Sequence, residues 1–312
     1  MTDLAEKYRP KTWKDVVNQD GVVKSLESIL AREEGIPPAF LLTGPSGCGK
    51  TTMGEIIATS LDVELNSLNY NYYNTSNTRG IDTIREIDRY CRFKPTGNSK
   101  KKFYLIDECH ELTKPAQNAF LSILERPPGH SHFCLCTTEP NKLLKTIKGR
   151  CTQYTLSSFT RVKLVGLLKK ICEEEGVKFE PKIYREIADV SDGSARNALK
   201  ILDQIIDVPE GTNLSDMILD ASVQETQVIE ICRMMLEGKS DWGAISKALK
   251  SINSEPENIR RAIVNYLTAV CLNKKSIDRR LINVITIMSD HNATMYSGLG
   301  GLVSLIGLSF SD

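Results

Sequence analysis

Four short runs of apolar residues lie in the first half of the chain, and each has the length of a strand buried on both faces. The runs are Ala39–Thr43, Phe103–Glu108, His132–Thr138 and Gln153–Leu156. Between them, apolar residues recur every three or four positions, as in residues 82–93 and 115–124, which predicts helices. Strands that alternate with helices over residues 38–156 predict a parallel sheet covered by helices on both faces.

The rest of the chain, from Phe159 onward, shows helical spacing and no strand pattern. A chain of 312 residues is too long for one ordinary core, so two or three domains are expected. The segment Val208–Thr212, which contains proline and glycine, predicts a boundary. We therefore expect an α/β domain over residues 1–158, a small helical domain over 159–211 and an all-α domain over 212–312.

Composition excludes several classes of protein. The chain is 41% hydrophobic and 25% charged, which is typical of globular proteins, and its net charge of +1 gives no global attraction to nucleic acid. Nine cysteines are scattered without any C-x-x-C pair, so neither a zinc site nor a disulfide framework is predicted, and a reducing, cytoplasmic setting is expected. No signal peptide or membrane span is predicted, and residues 298–310 are expected to form a buried helix.

The strongest motif follows the first predicted strand. Residues Gly44–Thr51 read G-P-S-G-C-G-K-T, a complete phosphate-binding loop placed between a strand and a helix. The loop amides face phosphate oxygens, Lys50 reaches the β and γ phosphates, and the Thr51 hydroxyl binds Mg²⁺. The motif and its flank predict a set of ATP-binding residues: Gly44, Pro45, Ser46, Gly47, Cys48, Gly49, Lys50, Thr51 and Thr52.

Two carboxylates end the second apolar run. Asp107 is expected to hold Mg²⁺ together with Thr51, and Glu108 to polarise the water that attacks the γ-phosphate. Both are predicted at the carboxyl end of a strand, the edge at which α/β sheets bind ligands. The four histidines, among them His110, show no metal-ligand spacing and are interpreted as structural.

Several motifs together carry a family resemblance that spans roughly residues 5–206. They are the D-E-C-H box Asp107–His110, the opening motif Lys7–Gln19, the segment Leu112–Leu121 and the L-E-R-P-P segment Leu124–Pro128. In this combination the chain resembles the clamp-loader subunits of the AAA+ ATPases, which include bacterial gamma/tau, replication factor C small subunits and phage counterparts. Asn18 stands where that family usually has glycine.

The resemblance implies roles for residues outside the phosphate loop. In the family the opening motif wraps adenine and ribose, and five residues match it here: Tyr8, Arg9, Pro10, Val16 and Val17. Core packing is an equally open interpretation for Val17 and for Trp13. Thr138 matches the sensor-1 position, where a hydroxyl orients the attacking water. Arg196 matches the sensor-2 position, from which it would contact the γ-phosphate of its own subunit.

Arg150 matches the arginine finger of the family, which reaches into the nucleotide site of a neighbouring subunit. Gly149 departs from the serine that usually precedes this arginine, so the match rests on Arg150–Cys151 alone. A guanidinium supplied by a neighbour stabilises the charge that develops in the transition state. With this assignment, the predicted catalytic set is Lys50, Asp107, Glu108, Thr138, Arg150 and Arg196.

DNA and clamp contacts are implied less directly. The family follows duplex phosphates with helix N-termini and a few basic residues, which implies a DNA-binding set of Arg79, Gly80, Arg85, Thr113 and Lys114. An ordinary solvated surface remains the alternative for the charged members. Tyr90 and Phe93 match a region that inserts apolar side chains into a sliding clamp, with core packing as the alternative.

The implied protein is an ATPase subunit of a replicative clamp loader, with ATP and Mg²⁺ as cofactors. Its implied partners are other loader subunits, in a pentamer, together with a sliding clamp and primer–template DNA. The helical domains would be a lid and an oligomerisation collar. Residues 62–100 contain only Cys91, so the zinc module of bacterial gamma/tau is not expected. Because the sequence stops at Asp312 without a polymerase-binding extension, a compact phage or replication-factor-C type is expected.

Two alternatives stay open at this point. One is another AAA+ motor, such as a branch-migration helicase or a helicase loader, which would need a pore loop or a winged-helix domain; residues 214–312 show no strands for a wing. The other is a loader subunit that only scaffolds. That alternative is disfavoured because a scaffold needs none of the predicted catalytic side chains.

Overall fold

A computed structural model describes most of the chain, with gaps confined to its termini and its second half. The described residues are 3–209, 212–215, 217–218, 231–232, 234–235, 242–251, 256–273, 279–289 and 291–308. The chain divides into two compact units, residues 1–203 and residues 204–312. Of the predicted boundary at Val208–Thr212, residues 210 and 211 lie outside the described part.

Five strands of the first unit form one sheet in which every described neighbouring pair is parallel. The strands are β1 (Ala39–Thr43), β2 (Tyr70–Asn74), β3 (Lys102–Asp107), β4 (Ser131–Thr137) and β5 (Thr152–Thr155), in the spatial order β2-β3-β4-β1-β5. The helices are α1 (Leu4–Lys7), α2 (Asp20–Leu30), α3 (Lys50–Ser60), α4 (Ile81–Cys91), α5 (Lys114–Glu125), α6 (Lys145–Lys148), α7 (Arg161–Glu174), α8 (Pro181–Val190) and α9 (Ala195–Ile205). The predicted fold class is therefore confirmed.

Alternate residues of β3 face opposite cores, because successive side chains of a strand point to opposite faces. Tyr104 and Ile106 join a buried cluster with residues of α4 and α5, whereas Phe103 and Leu105 join a second cluster with residues of α2 and α3. The sheet is thus covered on both sides, as its apolar strands predict. Asp107, next in the alternation after Leu105, lies on the α3 side, where the phosphate-binding loop enters its helix.

No strand was predicted at β2, whose residues Tyr70–Asn74 are only tyrosine and asparagine. Strand β2 forms the edge of the sheet beside β3, with Tyr70 opposite Phe103 and Asn74 opposite Asp107. Tyr70 stacks on Phe103 with ring centroids 6.4 Å apart, while Tyr73 packs against the cluster of α4 and α5. Tyrosine rings supply the apolar contacts here, so the strand forms without a run of aliphatic residues.

Helices α7 and α8 and most of α9 belong to the same compact unit as the sheet, which ends at Asp203 within α9. Each buries one apolar stripe, for example Leu164, Leu168 and Ile171 of α7, which is the pattern of amphipathic surface helices. The N-terminal segment holds this helical part against the rest of the unit, since the Tyr8 hydroxyl donates to Glu175 Oε1 over 2.5 Å. The domain limits at residues 158 and 211 remain predictions.

The described part of the second unit is helical, as predicted. It contains α10 (Trp242–Ser251), α11 (Pro256–Asn273), α12 (Arg279–Met288) and α13 (His291–Leu308). Their buried cluster includes Ile245, Ile263, Val284, Leu302 and Ile306. The expected C-terminal helix thus ends at Leu308, with residues 309–310 outside the described part. Within the described residues, no helix combines the length and hydropathy needed to cross a membrane.

Candidate nucleotide site

The phosphate-binding loop connects β1 to α3, as its sequence requires. Gly44 and Gly47 have φ angles of 149° and 72°, which favour glycine. A Cβ atom at Gly44 would lie 2.5 Å from the carbonyl oxygen of Leu156, so a larger residue does not fit there. Because α3 begins at Lys50, the loop ends at a helix N-terminus whose unpaired amides favour a phosphate anion.

Lys50 is buried, with 7% of the residue exposed. Its Nζ donates to the carbonyl oxygens of Gly44 and Pro45, each over 2.9 Å. The lysine therefore braces the start of the loop and keeps an ammonium group beside the backbone that is expected to surround the phosphates. Contact of Lys50 with the β and γ phosphates remains a prediction.

Asp107 is the last residue of β3, and three groups donate to its carboxylate. Oδ2 accepts from the Thr51 hydroxyl over 2.8 Å and from the Tyr72 hydroxyl over 3.3 Å, while Oδ1 accepts from the Glu108 amide over 3.0 Å. Thr51 and Asp107 are 56 positions apart in sequence, and the fold brings their oxygens together. A hydroxyl beside a carboxylate is a set of hard oxygen ligands, which fits the Mg²⁺ implied by the family.

Glu108 has the left-handed backbone conformation, with φ of 51° and ψ of 38°. Its Oε2 is buried without a hydrogen bond within the described part of the chain, and His110 Nδ1 lies 3.4 Å away. A buried acceptor without a donor needs an explanation, and an attacking water would supply the missing donor.

His110 was interpreted as structural, and the fold surrounds it with polar groups. Its Nδ1 lies 3.1 Å from the Thr137 hydroxyl, and its Nε2 lies 3.3 Å from Glu111 and 3.4 Å from Glu139. His110, Glu111 and Glu139 place potential ligand atoms within 4.8 Å of one another. Sequence spacing missed this cluster because Glu139 follows a different strand, β4.

Thr138 is half-buried just after β4, and its sensor role remains a prediction. The preceding residue, Thr137, is fully buried; its hydroxyl contacts His110 and accepts the Glu139 amide over 2.9 Å. Thr137 thus links the end of β4 to the loop after β3, which the sequence did not indicate.

A cavity of about 730 Å³ adjoins the phosphate-binding loop. The opening motif, the loop, the start of α3 and helices α7 and α9 line it. Of the predicted nucleotide-binding residues it contains Tyr8, Arg9, Pro10, Val16, Val17, Gly47, Cys48, Gly49, Thr52 and Arg196. The fold therefore gathers in one cavity most of the residues expected to surround a nucleotide, from segments up to 188 positions apart (8 to 196).

Hydrogen bonds fix the opening motif on both sides of this cavity. Arg9 Nε lies 3.1 Å from Glu55 Oε2 and donates to the Thr52 hydroxyl over 3.3 Å, both on α3. On the other side, Tyr8 donates to Glu175. That hydrogen bond raises the pKa of Tyr8 to about 12, while donation from Lys7 and Tyr8 lowers the pKa of Glu175.

The Asn18 departure from the family pattern also has a structural explanation. Asn18 has a φ of 75°, a conformation that glycine adopts freely and asparagine tolerates better than most residues. Its Nδ2 donates to the carbonyl oxygen of Ser158 over 3.0 Å, just before α7. The substitution keeps the turn and adds a hydrogen bond.

Arg196 lies on the first turn of α9, beside the phosphate-binding loop. A Cβ atom at Gly47 would overlap the Ser194 hydroxyl and would lie 3.5 Å from the Arg196 Cβ. The helix start therefore packs directly on the loop, and Arg196 lines the nucleotide cavity. This is the neighbourhood expected for a residue that senses a terminal phosphate.

Comparisons with known proteins agree with these motifs. A family model described as DNA polymerase III, delta subunit, matches residues 62–160, and one described as DNA polymerase III clamp loader subunit, ATPase lid domain, matches residues 163–211. DNA polymerase III subunit tau of Bacillus subtilis is 33% identical over 64% of this chain and 38% of that protein. Replication factor C small subunit of Staphylothermus marinus is 29% identical over 84% of this chain and 76% of that protein.

This chain belongs to the clamp-loader subunit family of AAA+ proteins. It spans 38% of the length of the Bacillus subtilis tau subunit and 60% of the gamma subunit of Buchnera aphidicola. The branch-migration motor RuvB of Thermotoga maritima superposes with a TM-score of 0.59, covering 86% of this chain and 93% of that one, at 20% identity. That likeness shows a shared fold only.

The residue matched to the clamp-loader arginine finger lies apart from the residues that line the cavity. Arg150 follows α6 and is partly exposed, with 34% of its side chain accessible. Its Nη2 donates to Glu125 Oε1 over 2.6 Å and its Nη1 to the Thr146 carbonyl over 3.1 Å. Glu125 is the last residue of α5 and belongs to the L-E-R-P-P segment, for which the sequence indicated no such role.

The predicted DNA-binding residues cluster around two helix starts. Arg79 and Gly80 are exposed before α4, and Thr113 and Lys114 are exposed at the start of α5. The Thr113 amide donates to the Arg79 carbonyl over 3.1 Å, which joins the two starts. Arg85 is exposed one turn into α4, where it pairs with Asp82 at 2.9 Å. Their contact with DNA remains a prediction.

Tyr90 and Phe93 are exposed, at 45% and 55%, and their ring centroids are 6.3 Å apart. Core packing, the alternative weighed for this pair, therefore does not account for them. Three side chains fix the chain that carries them: Lys102 donates to the Tyr90 carbonyl, Ser131 to that of Cys91, and His130 Nε2 lies 2.9 Å from that of Phe93. Clamp binding by the two rings remains a prediction.

Proposed function

We propose that the chain is an ATPase subunit of a replicative clamp loader, which uses ATP to open a sliding clamp and place it on primer–template DNA. The observation that supports this most is the joining of Thr51, Asp107 and the strained Glu108 at the end of β3. A subunit that only scaffolds has no use for such an arrangement. Family membership supplies the clamp and the DNA as partners.

In this proposal the triphosphate lies over the N-terminus of α3, with Lys50 neutralising the β and γ phosphates. Thr51 and Asp107 hold Mg²⁺, which, when bound, withdraws charge from the phosphate oxygens. Glu108 accepts a proton from the attacking water, since its Oε2 is buried and without a donor. Thr138 orients that water, and Arg196 contacts the γ-phosphate and couples the lid to the bound nucleotide.

The site is completed by a second subunit. Arg150, held at the surface by Glu125, reaches the γ-phosphate bound to a neighbour in an oligomer, for which we propose a pentamer. Residues 212–312 form the collar that holds the subunits together. Hydrolysis then depends on assembly, so that ATP is consumed when the subunits are correctly arranged.

DNA and clamp act through the exposed surfaces described above. The joined starts of α4 and α5 contact the phosphate backbone through Arg79 and Lys114, together with helix amides, and this needs no overall positive charge. Tyr90 and Phe93 enter an apolar pocket of the clamp. Binding of both ligands favours the arrangement in which Arg150 meets the neighbouring site.

The decisive experiment measures ATP hydrolysis by the assembled loader with no ligand, with clamp, with primer–template DNA, and with both. We expect strong stimulation with both ligands only, and its loss with Glu108→Gln. Equal rates under all four conditions would contradict clamp loading. An unchanged stimulated rate in Glu108→Gln would contradict the assignment of the catalytic site.

A further inference from the structure

Two hydroxyl groups from the β2 region contact residues Asp107 and Glu108, and neither hydroxyl has a role in the mechanism above. They belong to Tyr72, in the middle of the strand, and to Thr75, the first residue after it. Tyr72 touches the side chain of Asp107, whereas Thr75 touches the backbone on both sides of the Asp107–Glu108 bond.

Tyr72 shares an acceptor with the proposed metal ligand Thr51. Both hydroxyls donate to Asp107 Oδ2, over 3.3 and 2.8 Å. With the Glu108 amide on Oδ1, the carboxylate is held from both of its oxygens.

Thr75 is fully buried, and it contacts the backbone of Glu108, not its carboxylate. Its Oγ1 lies 2.6 Å from the Glu108 carbonyl oxygen and 3.0 Å from that of Asp107, while its amide donates to the Asp107 carbonyl over 3.0 Å. Glu108 is one of four residues other than glycine with a positive φ within the described part of the chain. That conformation is unfavourable for a residue with a Cβ atom, so it persists only where its surroundings enforce it.

We propose that Tyr72 and Thr75 are positioning residues of the hydrolytic site: Tyr72 orients Asp107 for metal binding, and Thr75 holds Glu108 in its left-handed conformation. The inference rests on the proposed ATPase function and deepens it. It gives a purpose to β2, whose tyrosines the sequence left unexplained. Neither residue touches the reacting groups, so each acts through the carboxylate or backbone that it holds.

The role proposed for Tyr72 is tested by the substitution Tyr72→Phe, which removes only the hydroxyl group. In Tyr72→Phe we expect Mn²⁺, used as a paramagnetic probe in the presence of ADP, to bind about tenfold more weakly, consistent with losing one hydrogen bond to a charged group. The Mg²⁺ concentration for half-maximal hydrolysis should rise by the same factor. Tyr73→Phe is the matched control, because Tyr73 packs on the opposite face of the strand. Equal Mn²⁺ affinity in the two variants would overturn this role.

The role proposed for Thr75 is tested by a pair of substitutions. Thr75→Val keeps the shape without the hydroxyl, whereas Thr75→Ser keeps the hydroxyl. We expect about a tenfold lower kcat in the valine variant, equivalent to one lost hydrogen bond in the transition-state arrangement, with KM for ATP unchanged and with recovery in the serine variant. Amide hydrogen exchange in residues 107–112 should be faster in the valine variant alone.

Two outcomes would overturn the role proposed for Thr75. One is an equal kcat in the valine and serine variants. The other is a rise in the KM for ATP of the valine variant that is as large as the fall in its kcat. Wild type and Glu108→Gln, measured in parallel, distinguish failure of the proposed function from failure of this inference alone. If Glu108→Gln hydrolyses ATP like wild type, the proposed function fails and this inference with it. If Glu108→Gln is inactive while Tyr72→Phe and Thr75→Val match wild type, this inference alone fails.

Discussion

The carboxylates at the end of β3 and the arginine after α6 are held in opposite ways. Asp107 is 9% exposed and accepts hydrogen bonds from Thr51, Tyr72 and the Glu108 amide. Arg150 is partly exposed and pairs with Glu125, whose side chain is 52% exposed. One group is fixed inside the chain that carries it, and the other is presented at the surface.

The difference shows which part of the chemistry this chain completes by itself. Buried hydrogen bonds in low dielectric hold a group in one orientation, whereas exposed ion pairs contribute about 0–1 kcal/mol and are easily exchanged. Arg150 can therefore leave Glu125 for a phosphate at little energetic cost. In the proposed mechanism, the chain supplies a fixed half-site together with a movable arginine for the site of another subunit.

The largest effect is expected for Arg150→Ala in the assembled loader. Loss of the finger should lower stimulated hydrolysis by about 10³-fold, the lower end of the range for arginine fingers in GTPases. ATP binding should be unchanged, because Arg150 does not line the cavity of its own chain. Lys148→Ala, two residues earlier, is the control for a lost surface charge. A similar loss in both variants would show that net charge, not the finger, matters.

Glu108→Gln should lower hydrolysis by about 10²-fold or more, since a positioned general base contributes typically 10²–10⁴. Single-turnover hydrolysis measures the chemical step, and titration with a fluorescent nucleotide measures binding separately. Glu108→Gln should slow hydrolysis of the nucleotide bound to the variant chain itself, whereas Arg150→Ala should slow hydrolysis of the nucleotide bound to its neighbour. A variant that bound ATP tenfold more weakly without slowing turnover would remove Glu108 from the chemistry.

Gly47→Ala should weaken nucleotide binding by about tenfold, because a Cβ there overlaps the Ser194 hydroxyl and left-handed alanine is strained by about 1–2 kcal/mol. Gly35→Ala is the matched control: φ is 77° there, and a Cβ meets nothing within 4 Å. Titration of a fluorescent ATP analogue compares the two. If both variants bind alike, contact between α9 and the loop does not shape the cavity.

The smallest effect concerns the contact of Glu175 with Lys7 and Tyr8. Because these donors lower the pKa of Glu175, the folded state favours the ionised carboxylate. The resulting stabilisation is present above the ordinary pKa of glutamate and is lost as the pH falls through the lowered folded-state pKa. The melting temperature of Glu175→Gln should therefore fall less between pH 5 and 3 than that of wild type, by about 1–2 °C.

Glu173→Gln, two residues earlier on the same helix, removes a charge outside that contact and serves as the control. Its acid profile should follow that of wild type. An identical profile for Glu175→Gln would mean that the contact contributes nothing to the folded state.

The sequence predicted the site most completely where a motif determines both the residue type and the local backbone conformation. The loop Gly44–Thr51 must curl before a helix, and Asp107 must follow a buried strand, so their meeting could be predicted. The residues missed are those whose partners come from elsewhere in the fold. Thr137 meets His110, and Thr75 meets Glu108, only because parallel strands end at one edge of the sheet.

Strand β2 shows a second limit. Its residues Tyr70–Asn74 read as polar, because tyrosine and asparagine form no aliphatic run, yet pairing with β3 buries their rings in part. Likewise, Glu125 looks like an ordinary helix-end carboxylate until the fold brings Arg150 within 2.6 Å. Tertiary contacts of this kind leave no periodic signal in the chain.

In the proposed mechanism, each hydrolytic site needs Glu108 from one subunit and Arg150 from another. The direct test mixes chains that carry Glu108→Gln with chains that carry Arg150→Ala and measures ATP hydrolysis with clamp and primer–template DNA. We predict that the mixture hydrolyses ATP well above the sum of the two variants alone, because intact Arg150 completes sites with intact Glu108. A mixture no more active than that sum, with assembly confirmed, would contradict the account.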